Sequence, residues 1–328
     1  MKGAKSIKRI GVFTSGGDSP GMNAAIRAVV RTCMYYEVES FGIYHGYDGM
    51  INGEIDMLTG RSVSNIIHRG GTILKSARSK AFMTQEGRKE AYNNLKNNKI
   101  DALVAIGGDG TFTGANVFAE EFSIPILGLP GTIDNDLNGT DYTIGYDTAV
   151  NTAAFAIDKI RDTASSHNRL FFIEVMGRHS GQIAIRSAIA GGTEAVMIPE
   201  VPMSIDQLVE VLEKGANKKS SSLVVVAEGG KTGQSINIAA EVKQRFAHYD
   251  TKVTILGHTQ RGGTPTVNDR VLASRLGVAA VEGLLKGKKG SMVGVVNNKI
   301  KFTPFKKAIT KVNNLDYELL RIAEILSI

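Results

Sequence analysis

The sequence predicts an α/β protein with two Rossmann-like, three-layer α/β/α lobes and a cleft between them. Short apolar runs alternate with helical patterns along the whole chain, and many of these runs end in Gly-rich or polar turns. Strands that alternate with helices indicate βαβ units and parallel sheets. A chain of 328 residues is long enough to form two such lobes.

The first part of the chain contains three apolar runs that predict buried strands followed by turns. They cover residues 10–14, 102–106 and 125–129. Apolar residues at helical spacing predict a helix between each pair of strands. The remaining elements expected in this part are a strand at residues 38–44, a helix that ends over residues 92–97, and helices at residues 23–36, 112–122 and 147–165.

The second part continues the alternation without an internal repeat or a Pro/Ser-rich linker. Ser204 and Gln207 have the order of a capping box, which marks the start of a helix. Strands are expected at residues 170–175, 195–198, 223–227, 253–256, 291–296 and 299–302, and helices at residues 181–190, 208–214, 236–247, 269–285 and 314–326.

Composition excludes several classes of protein. The net charge of +7 is spread along the chain, and no aromatic-rich basic segment accompanies it, so we expect anionic small molecules rather than nucleic acid as ligands. Cys33 is the only cysteine, which excludes a disulfide framework, and we place it on the buried face of the first helix. Apolar runs are too short for a membrane span or a signal peptide. We therefore expect a cytoplasmic protein with no membrane partner.

Three predicted strands end in turns that combine glycine with isolated acids, at residues 15–18, 107–111 and 130–136. Ligand crevices in open α/β sheets form at this edge. Glycines allow backbone N–H groups to approach a phosphate, and Asp109 would suit Mg²⁺. The last turn adds two carboxylates for proton transfer, so the pattern predicts a phosphoryl-transfer site. For the second turn taken alone, a tight turn with a capping Asp is an equal alternative.

Later strand ends also carry polar groups. Arg178 and Arg261 suit phosphate oxygens, Glu228 suits sugar hydroxyls, and His258 could donate to a phosphate. A surface salt bridge or a helix cap explains each of these residues if it is taken alone. Their common position after predicted strands favours a binding site.

Together these segments resemble the bacterial-type ATP-dependent 6-phosphofructokinases over nearly the whole chain. The length matches one bacterial subunit of that family. The segments that carry the resemblance are residues 14–23, 70–72, 76–78, 107–110, 130–136, 165–169, 174–178 and 257–263.

The resemblance implies the activity and the roles of individual residues. Asp134 would be the base that takes the proton from the sugar 1-hydroxyl, with Thr132, Asp136 and Arg178 as further catalytic residues. Asp109 would hold Mg²⁺, the implied cofactor. ATP would be bound by Gly17, Arg78, Ser79, Gly108, Asp109, Gly110 and Thr111. Fructose 6-phosphate would be bound by Thr132, Ile133, Asp134, Arg169, Met176, Gly177, Arg178, Glu228, Lys252, His258 and Arg261.

The resemblance also implies how the chain is organised. Residues 1–144 with 259–309 would form the larger, ATP-binding lobe, and residues 145–258 with 310–328 the smaller, sugar-binding lobe. The implied assembly is a homo-oligomer, normally a tetramer, in which Arg169 and the residue at 252 reach a neighbouring subunit. An ADP or phosphoenolpyruvate effector would be bound by Arg27, Arg31, Arg61, Arg161, Gly192, Glu194, Lys218 and Lys219.

The sequence departs from the family pattern in places, and two departures concern single residues. Position 252 is Lys instead of the usual Arg, which keeps the charge but loses the planar fork of a guanidinium. Arg61 stands one place away from the expected position in its loop. Both departures affect the sugar phosphate or effector contacts rather than the catalytic carboxylates.

Several alternatives share parts of this pattern. Pyrophosphate-dependent relatives carry an acid at the position of Gly110 and a lysine at the position of Gly131. Because this chain has glycine at both positions, it leaves room for the α-phosphate of a nucleotide, which favours ATP as the phosphoryl donor. Lipid and NAD kinases share the Gly-Gly-Asp-Gly turn but not the segments at residues 132–136 and 257–263. A non-catalytic binding protein of this fold would be expected to lack Asp109 or Asp134. The chain has no Walker loop, which excludes a P-loop kinase.

Overall fold

The computed structural model describes residues 7–167, 169–216, 221–229, 232–246, 248–310 and 315–327. The chain divides into two compact units. The first unit comprises Met1–Ile133, Leu137–Asp147 and Arg261–Val312, and the second comprises Asp134–Asp136, Thr148–Gln260 and Asn313–Ile328. The expected roles of the two lobes remain a prediction.

Strands and helices alternate as predicted over the described residues, which confirms the α/β fold class. The strands are β1 (Arg9–Thr14), β2 (Glu39–Ile43), β3 (Ile55–Leu58), β4 (Ala102–Gly107), β5 (Ile126–Pro130), β6 (Arg169–Val175), β7 (Ala195–Met197), β8 (Ser222–Ala227), β9 (Asp250–Ile255), β10 (Ser291–Val296) and β11 (Lys299–Pro304). The α-helices are α1 (Met22–Tyr35), α2 (Gly46–Asn52), α3 (Gln85–Asn97), α4 (Asp109–Phe122), α5 (Tyr146–Ser165), α6 (Gln182–Gly191), α7 (Ile205–Ala216), α8 (Gln234–Arg245), α9 (Val267–Leu285), α10 (Phe305–Ala308) and α11 (Tyr317–Leu326).

The first unit contains a seven-stranded sheet in the order β11-β10-β5-β4-β1-β2-β3. Its three central strands are parallel neighbours in register, with Thr14 opposite Ile106 and Gly107 opposite Pro130. The expected parallel pairing holds in the centre of this sheet but not at its edges, because β3 pairs antiparallel with β2 and β11 pairs antiparallel with β10. The three strands that precede the predicted turns therefore end side by side.

Apolar side chains cover both faces of this sheet and form two separate cores. Ala25 of α1 and Leu276 of α9 belong to the core of one face, whereas Leu95 of α3 and Phe112 of α4 belong to the other. Cys33 is fully buried in the first core, as predicted, and burial raises the pKa of its thiol to about 12. A helix layer on each face of a sheet is the three-layer arrangement that the sequence predicts.

The second unit contains a four-stranded parallel sheet in the order β7-β8-β6-β9. Leu208 of α7 and Val242 of α8 pack with Phe172 and Val224 in one core. Helix α6 contacts β7 and β8. The predicted capping box forms, since Ser204 N donates to Gln207 Oε1 at 2.8 Å and Gln207 N donates to Ser204 Oγ at 3.2 Å. Within the described ranges, no helix combines the length and apolar character needed to cross a membrane.

Candidate active site

Hydrogen bonds hold the three Gly-rich turns of the first sheet against one another. Ser15 N donates to Ile106 O at 3.0 Å, and Gly131 N donates to Gly107 O at 3.0 Å. Thr111 Oγ1 donates to Ser15 O, also at 3.0 Å. The turns that follow β1, β4 and β5 therefore form one connected surface at the carboxyl ends of these strands.

The turn after β4 is built for close approach of a ligand to the backbone. A Cβ atom on Gly107 would lie 2.3 Å from Thr111 Oγ1 and 2.5 Å from Ser15 O, so this position requires glycine. At Gly110, by contrast, a Cβ atom would meet nothing within 4 Å. This open space lies at the start of α4, where the helix dipole favours an anion.

Asp109 is the first residue of α4, and its Oδ1 accepts a hydrogen bond from Gly110 N at 2.8 Å. No cluster of three or more His, Cys, Asp or Glu side chains suited to a metal occurs in the described part of the chain. A cation at Asp109 would therefore need other ligands, such as phosphate oxygens and water. Mg²⁺ is commonly bound in this way, with one or two carboxylates and substrate phosphates, so the donor set fits it.

The turn after β1 is supported from two directions. Ser76 Oγ donates to Gly16 O at 2.5 Å. Arg261 Nη1 donates to Asp18 O at 3.2 Å and lies 2.7 Å from the place of a Cβ atom on Gly17. Arg261, which was predicted to bind the sugar phosphate, thus contacts the turn predicted to bind ATP.

Two further residues predicted for ATP lie in the segment after Ser76. Ser79 Oγ accepts a hydrogen bond from Phe82 N at 3.0 Å. Arg78 is exposed, so its guanidinium can reach a ligand. The hydroxyl of Ser79 thus caps the turn before α3, which is a structural role within the loop.

Gly131 does not face open space, although the sequence argument gave it the same role as Gly110. Its Cβ atom would lie 3.1 Å from Ile106 Cγ2 and 3.1 Å from Met22 Cε. A side chain at this position would press on the core beneath the sheet. The expectation that Gly131 leaves room for a nucleotide therefore receives no support, whereas the same expectation at Gly110 does.

The segment after β5 places a carboxylate in a buried position. Thr132, Ile133 and Asp134 are 9%, 0% and 7% exposed, while Asp136 is half-buried. Thr143 Oγ1 donates to Thr132 O at 2.6 Å. Asn135 adopts a left-handed conformation with φ of 50°, an uncommon conformation that recurs at functional sites.

In the second unit, a constrained turn follows β6. Gly177 has φ of 146°, and a Cβ atom there would lie 2.3 Å from Ser180 O. Arg178 follows with φ of 57°, and its backbone N donates to Glu228 Oε1 at 3.0 Å. The turn buries Met176 and leaves the Arg178 side chain exposed. Glu228, at the end of β8, therefore holds the arginine backbone in addition to any contact with a sugar.

Two predicted phosphate ligands meet a shared carboxylate. Lys252 Nζ lies 2.9 Å from Asp250 Oδ2, and Arg169 Nε lies 3.6 Å from the same oxygen. The hydrogen bond from Lys252 and the nearby positive charges lower the pKa of Asp250. Parallel pairing of β6 and β9 sets Arg169 opposite Asp250 and so brings the two cations together. His258, after β9, is exposed.

Comparison with known proteins identifies the family. The profile described as phosphofructokinase matches residues 9–284. The chain belongs to the phosphofructokinase family. It is 54% identical to ATP-dependent 6-phosphofructokinase 2 of Bacteroides thetaiotaomicron, over 98% of this chain and 99% of that protein. It is 55% identical to ATP-dependent 6-phosphofructokinase 1 of Thermus thermophilus, over 98% of this chain and 100% of that protein.

Solved structures of the phosphofructokinase family have the same fold. The phosphofructokinase of Saccharomyces cerevisiae superposes with a TM-score of 0.89 and 36% sequence identity. The match covers 98% of this chain but 48% of the yeast chain, so this chain spans about half the length of that relative. The predicted fold class is confirmed.

The residues predicted for a phosphofructokinase effector form local contacts within each unit. On α1, Arg31 Nη2 donates to Gly60 O at 3.4 Å, which places it beside Arg61. Arg161 Nη2 donates to the carbonyl oxygen of Gly191 and, at 2.7 Å, to that of Gly192. Glu194 is buried, and its Oε2 accepts a hydrogen bond from Leu223 N at 2.6 Å. Arg27 is half-buried on α1, and Lys218 and Lys219 lie outside the described residues.

Sequence reasoning missed two residues beside the predicted phosphofructokinase site, Asp250 and Gln260. Asp250 stands two residues before Lys252, so strand alternation could have placed both on one face. Gln260 is completely buried, and its Oε1 accepts a hydrogen bond from Met176 N at 2.8 Å. The sequence feature that could have identified Gln260 is its position between His258 and Arg261, two predicted ligands of the sugar phosphate.

Proposed function

We propose that this chain transfers the γ-phosphoryl group of ATP to the 1-hydroxyl of fructose 6-phosphate, giving fructose 1,6-bisphosphate and ADP. The observation that carries the proposal is the 54% and 55% identity to ATP-dependent 6-phosphofructokinases over nearly their full lengths. The connected Gly-rich turns at adjacent strand ends support it, since they suit phosphates. Pyrophosphate as the donor is the alternative, and the open space at Gly110 favours ATP.

The first unit would bind ATP. Backbone groups at Gly17 and from Gly108 to Thr111 would contact its phosphates, with Arg78 adding positive charge. Asp109 would hold Mg²⁺, which when bound would neutralise charge on phosphate oxygens. The carboxylate at the start of α4 and the open space at Gly110 are the features that support this assignment.

Asp134 would act as the general base. Its carboxylate would accept the proton of the sugar 1-hydroxyl while that oxygen forms a bond to the γ-phosphorus. The bond from this phosphorus to the bridging oxygen breaks, and its electron pair leaves with ADP. Burial of Asp134 excludes water, and Arg178 would stabilise charge on the transferred group. Thr132 and Asp136 would orient the reacting groups.

The second unit would supply most contacts to the sugar. Met176 and Glu228 would line the sugar pocket, and Arg169, Lys252 and His258 would bind the 6-phosphate together with Arg261. The shared carboxylate of Asp250 supports a joint role for Arg169 and Lys252, because it keeps both cations together. In the proposed homotetramer these two side chains would serve a neighbouring subunit. The proposed compartment is the cytoplasm.

A coupled assay of the purified protein tests the reaction. Fructose 6-phosphate should be converted with ATP and Mg²⁺, with a kcat/KM at least about tenfold above that with pyrophosphate. Other sugar phosphates serve as acceptor controls. Turnover with pyrophosphate alone, or no turnover of fructose 6-phosphate with either donor, would contradict the proposal.

An effector site is a further part of the proposal. Arg27 and Arg31 lie four residues apart on α1, so both can reach one phosphate group. We expect ADP or phosphoenolpyruvate to shift the fructose 6-phosphate saturation curve of the wild type, because an effector binds two conformations with different affinity. Arg27→Ala should abolish the shift while leaving kcat within about twofold, since the residue lies outside the catalytic set.

The matched control for Arg27→Ala is Lys89→Ala, which removes an exposed cation from α3. Its saturation curves should respond to both effectors as those of the wild type do. Two results together would contradict the effector site. One is a wild-type saturation curve for fructose 6-phosphate that neither ADP nor phosphoenolpyruvate shifts, and the other is equilibrium dialysis that detects no nucleotide bound outside the active site. The chain would then have the predicted effector residues without allosteric regulation.

A further inference from the structure

Gln260 carries a buried carboxamide that accepts a hydrogen bond from the backbone. It lies in the short 3₁₀-helix Gly257–Arg261 after β9 and is 0% exposed. Its Oε1 accepts the hydrogen bond of Met176 N at 2.8 Å, and its buried Nε2 has no hydrogen-bond partner among the described residues. Among the residues that the structure describes, the amide therefore makes one hydrogen bond, to the first residue after β6.

Packing alone does not account for an amide at this position. A buried donor without a partner is destabilising, and such groups in native proteins are few. Methionine would fill a similar volume and remove the unsatisfied Nε2 donor, but it would leave Met176 N without its acceptor. What the carboxamide supplies and methionine lacks is an acceptor for the backbone of Met176.

The bond to Met176 fixes the start of the constrained turn. The next residue, Gly177, has φ of 146°, which favours glycine, and Arg178 has φ of 57°, which is uncommon for a residue other than glycine. Glu228 holds this turn further along, through Arg178 N at 3.0 Å. Gln260 and Glu228 thus hold the two ends of the segment from which the side chains of Met176 and Arg178 project.

We propose that Gln260 is a positioning residue for the sugar phosphate. By fixing the Met176 backbone, its carboxamide sets the direction of the Met176 and Arg178 side chains. The inference rests on the proposed function, since it takes these two residues to contact fructose 6-phosphate. Gln260 itself acts through them and touches neither substrate.

The test compares Gln260→Met, which has similar length but no acceptor oxygen, with the wild type. Loss of one positioning hydrogen bond should raise the KM for fructose 6-phosphate about 3- to 10-fold and lower kcat. The KM for ATP should stay within about twofold, because the turn belongs to the unit proposed to bind the sugar. Initial rates with each substrate varied separately, together with a thermal melt, give these values.

A control and a conservative variant separate positioning from stability. Ser187→Ala removes a buried hydrogen bond of 2.7 Å to Ile183 O in α6 of the same unit, and it should lower Tm without changing either KM. Gln260→Glu keeps an acceptor oxygen whether its carboxyl group is ionised or neutral. The sugar KM of this variant should therefore stay within about threefold of the wild type.

Two results would overturn the positioning role while the proposed function stands. One is a Gln260→Met enzyme with a lowered Tm but wild-type KM for fructose 6-phosphate. The other is a Gln260→Glu enzyme whose sugar KM exceeds that of the wild type by more than about threefold, although it keeps the acceptor. This measurement decides the matter even if the methionine variant does not fold. A wild-type protein that turns over no fructose 6-phosphate would instead overturn the proposed function and the inference together.

Discussion

Replacing Asp134 with alanine is expected to lower kcat by about 10²–10⁴-fold, the usual contribution of a general base. Asp134 is 7% exposed and lies in the turn after β5, so bulk water cannot easily replace its carboxylate as proton acceptor. ATP affinity should change little, because the residues proposed to bind the nucleotide belong to other turns. Steady-state rates and equilibrium binding of ATP measure the two quantities.

Asp134→Asn is the matched variant, because it keeps the shape of the side chain and removes the basic oxygen. It should lose nearly as much kcat as the alanine variant. Asp56→Ala, at an exposed position of β3, controls for the loss of a carboxylate elsewhere. If either Asp134 variant kept a kcat near that of the wild type, Asp134 would have no part in the proton transfer.

Short-range patterns predicted the centre of the fold because local chemistry determines it. Apolar runs before Gly-rich turns located β1, β4 and β5, and the structure makes these three strands neighbours. The polar residues after β6, β8 and β9 follow the same rule in the second sheet. A run of apolar residues that ends in glycine can be recognised without knowing its neighbours in space.

The antiparallel edges could not be predicted from the same rule. Residues Asn297 and Asn298 join β10 to β11 with φ of 48° and 60°, the left-handed pair of a tight hairpin. Two consecutive asparagines are compatible with such a turn, but the Asn-Gly pair is the stronger signal. Strand β3 has four residues and a mixed burial pattern, so its sequence carries no clear period.

The places of the candidate site residues in the fold could be predicted where a residue type follows a recognisable strand end, but not where packing decides. Asp109 and Asp134 stand at turns where a carboxylate has an obvious chemical use. The difference between Gly110 and Gly131 depends on the atoms around each Cβ position, which the sequence does not contain. Gln260 is similar, since glutamine is commonly exposed and its complete burial follows from tertiary packing.

The choice of phosphoryl donor gives the second large expected effect. Gly110→Asp would add a carboxylate in the second position of α4, next to Asp109 and in the space proposed for the α-phosphate of ATP, a group that pyrophosphate lacks. Two unit charges 4 Å apart repel by about 4 kcal/mol in a partly exposed site, which corresponds to roughly 10²–10³-fold. We expect kcat/KM for ATP to fall by that factor, and any use of pyrophosphate to fall much less.

Folding should not limit this test, because a Cβ atom at Gly110 meets nothing within 4 Å. Gly110→Asn fills the same space without the charge, so the ratio of its kcat/KM to that of Gly110→Asp separates crowding from repulsion. Gly131→Lys should behave differently and lower Tm, since its side chain would start 3.1 Å from Ile106 and Met22. Rates with both donors and thermal melts distinguish these outcomes. A Gly110→Asp enzyme that uses ATP within threefold of the wild type would show that position 110 does not determine the donor.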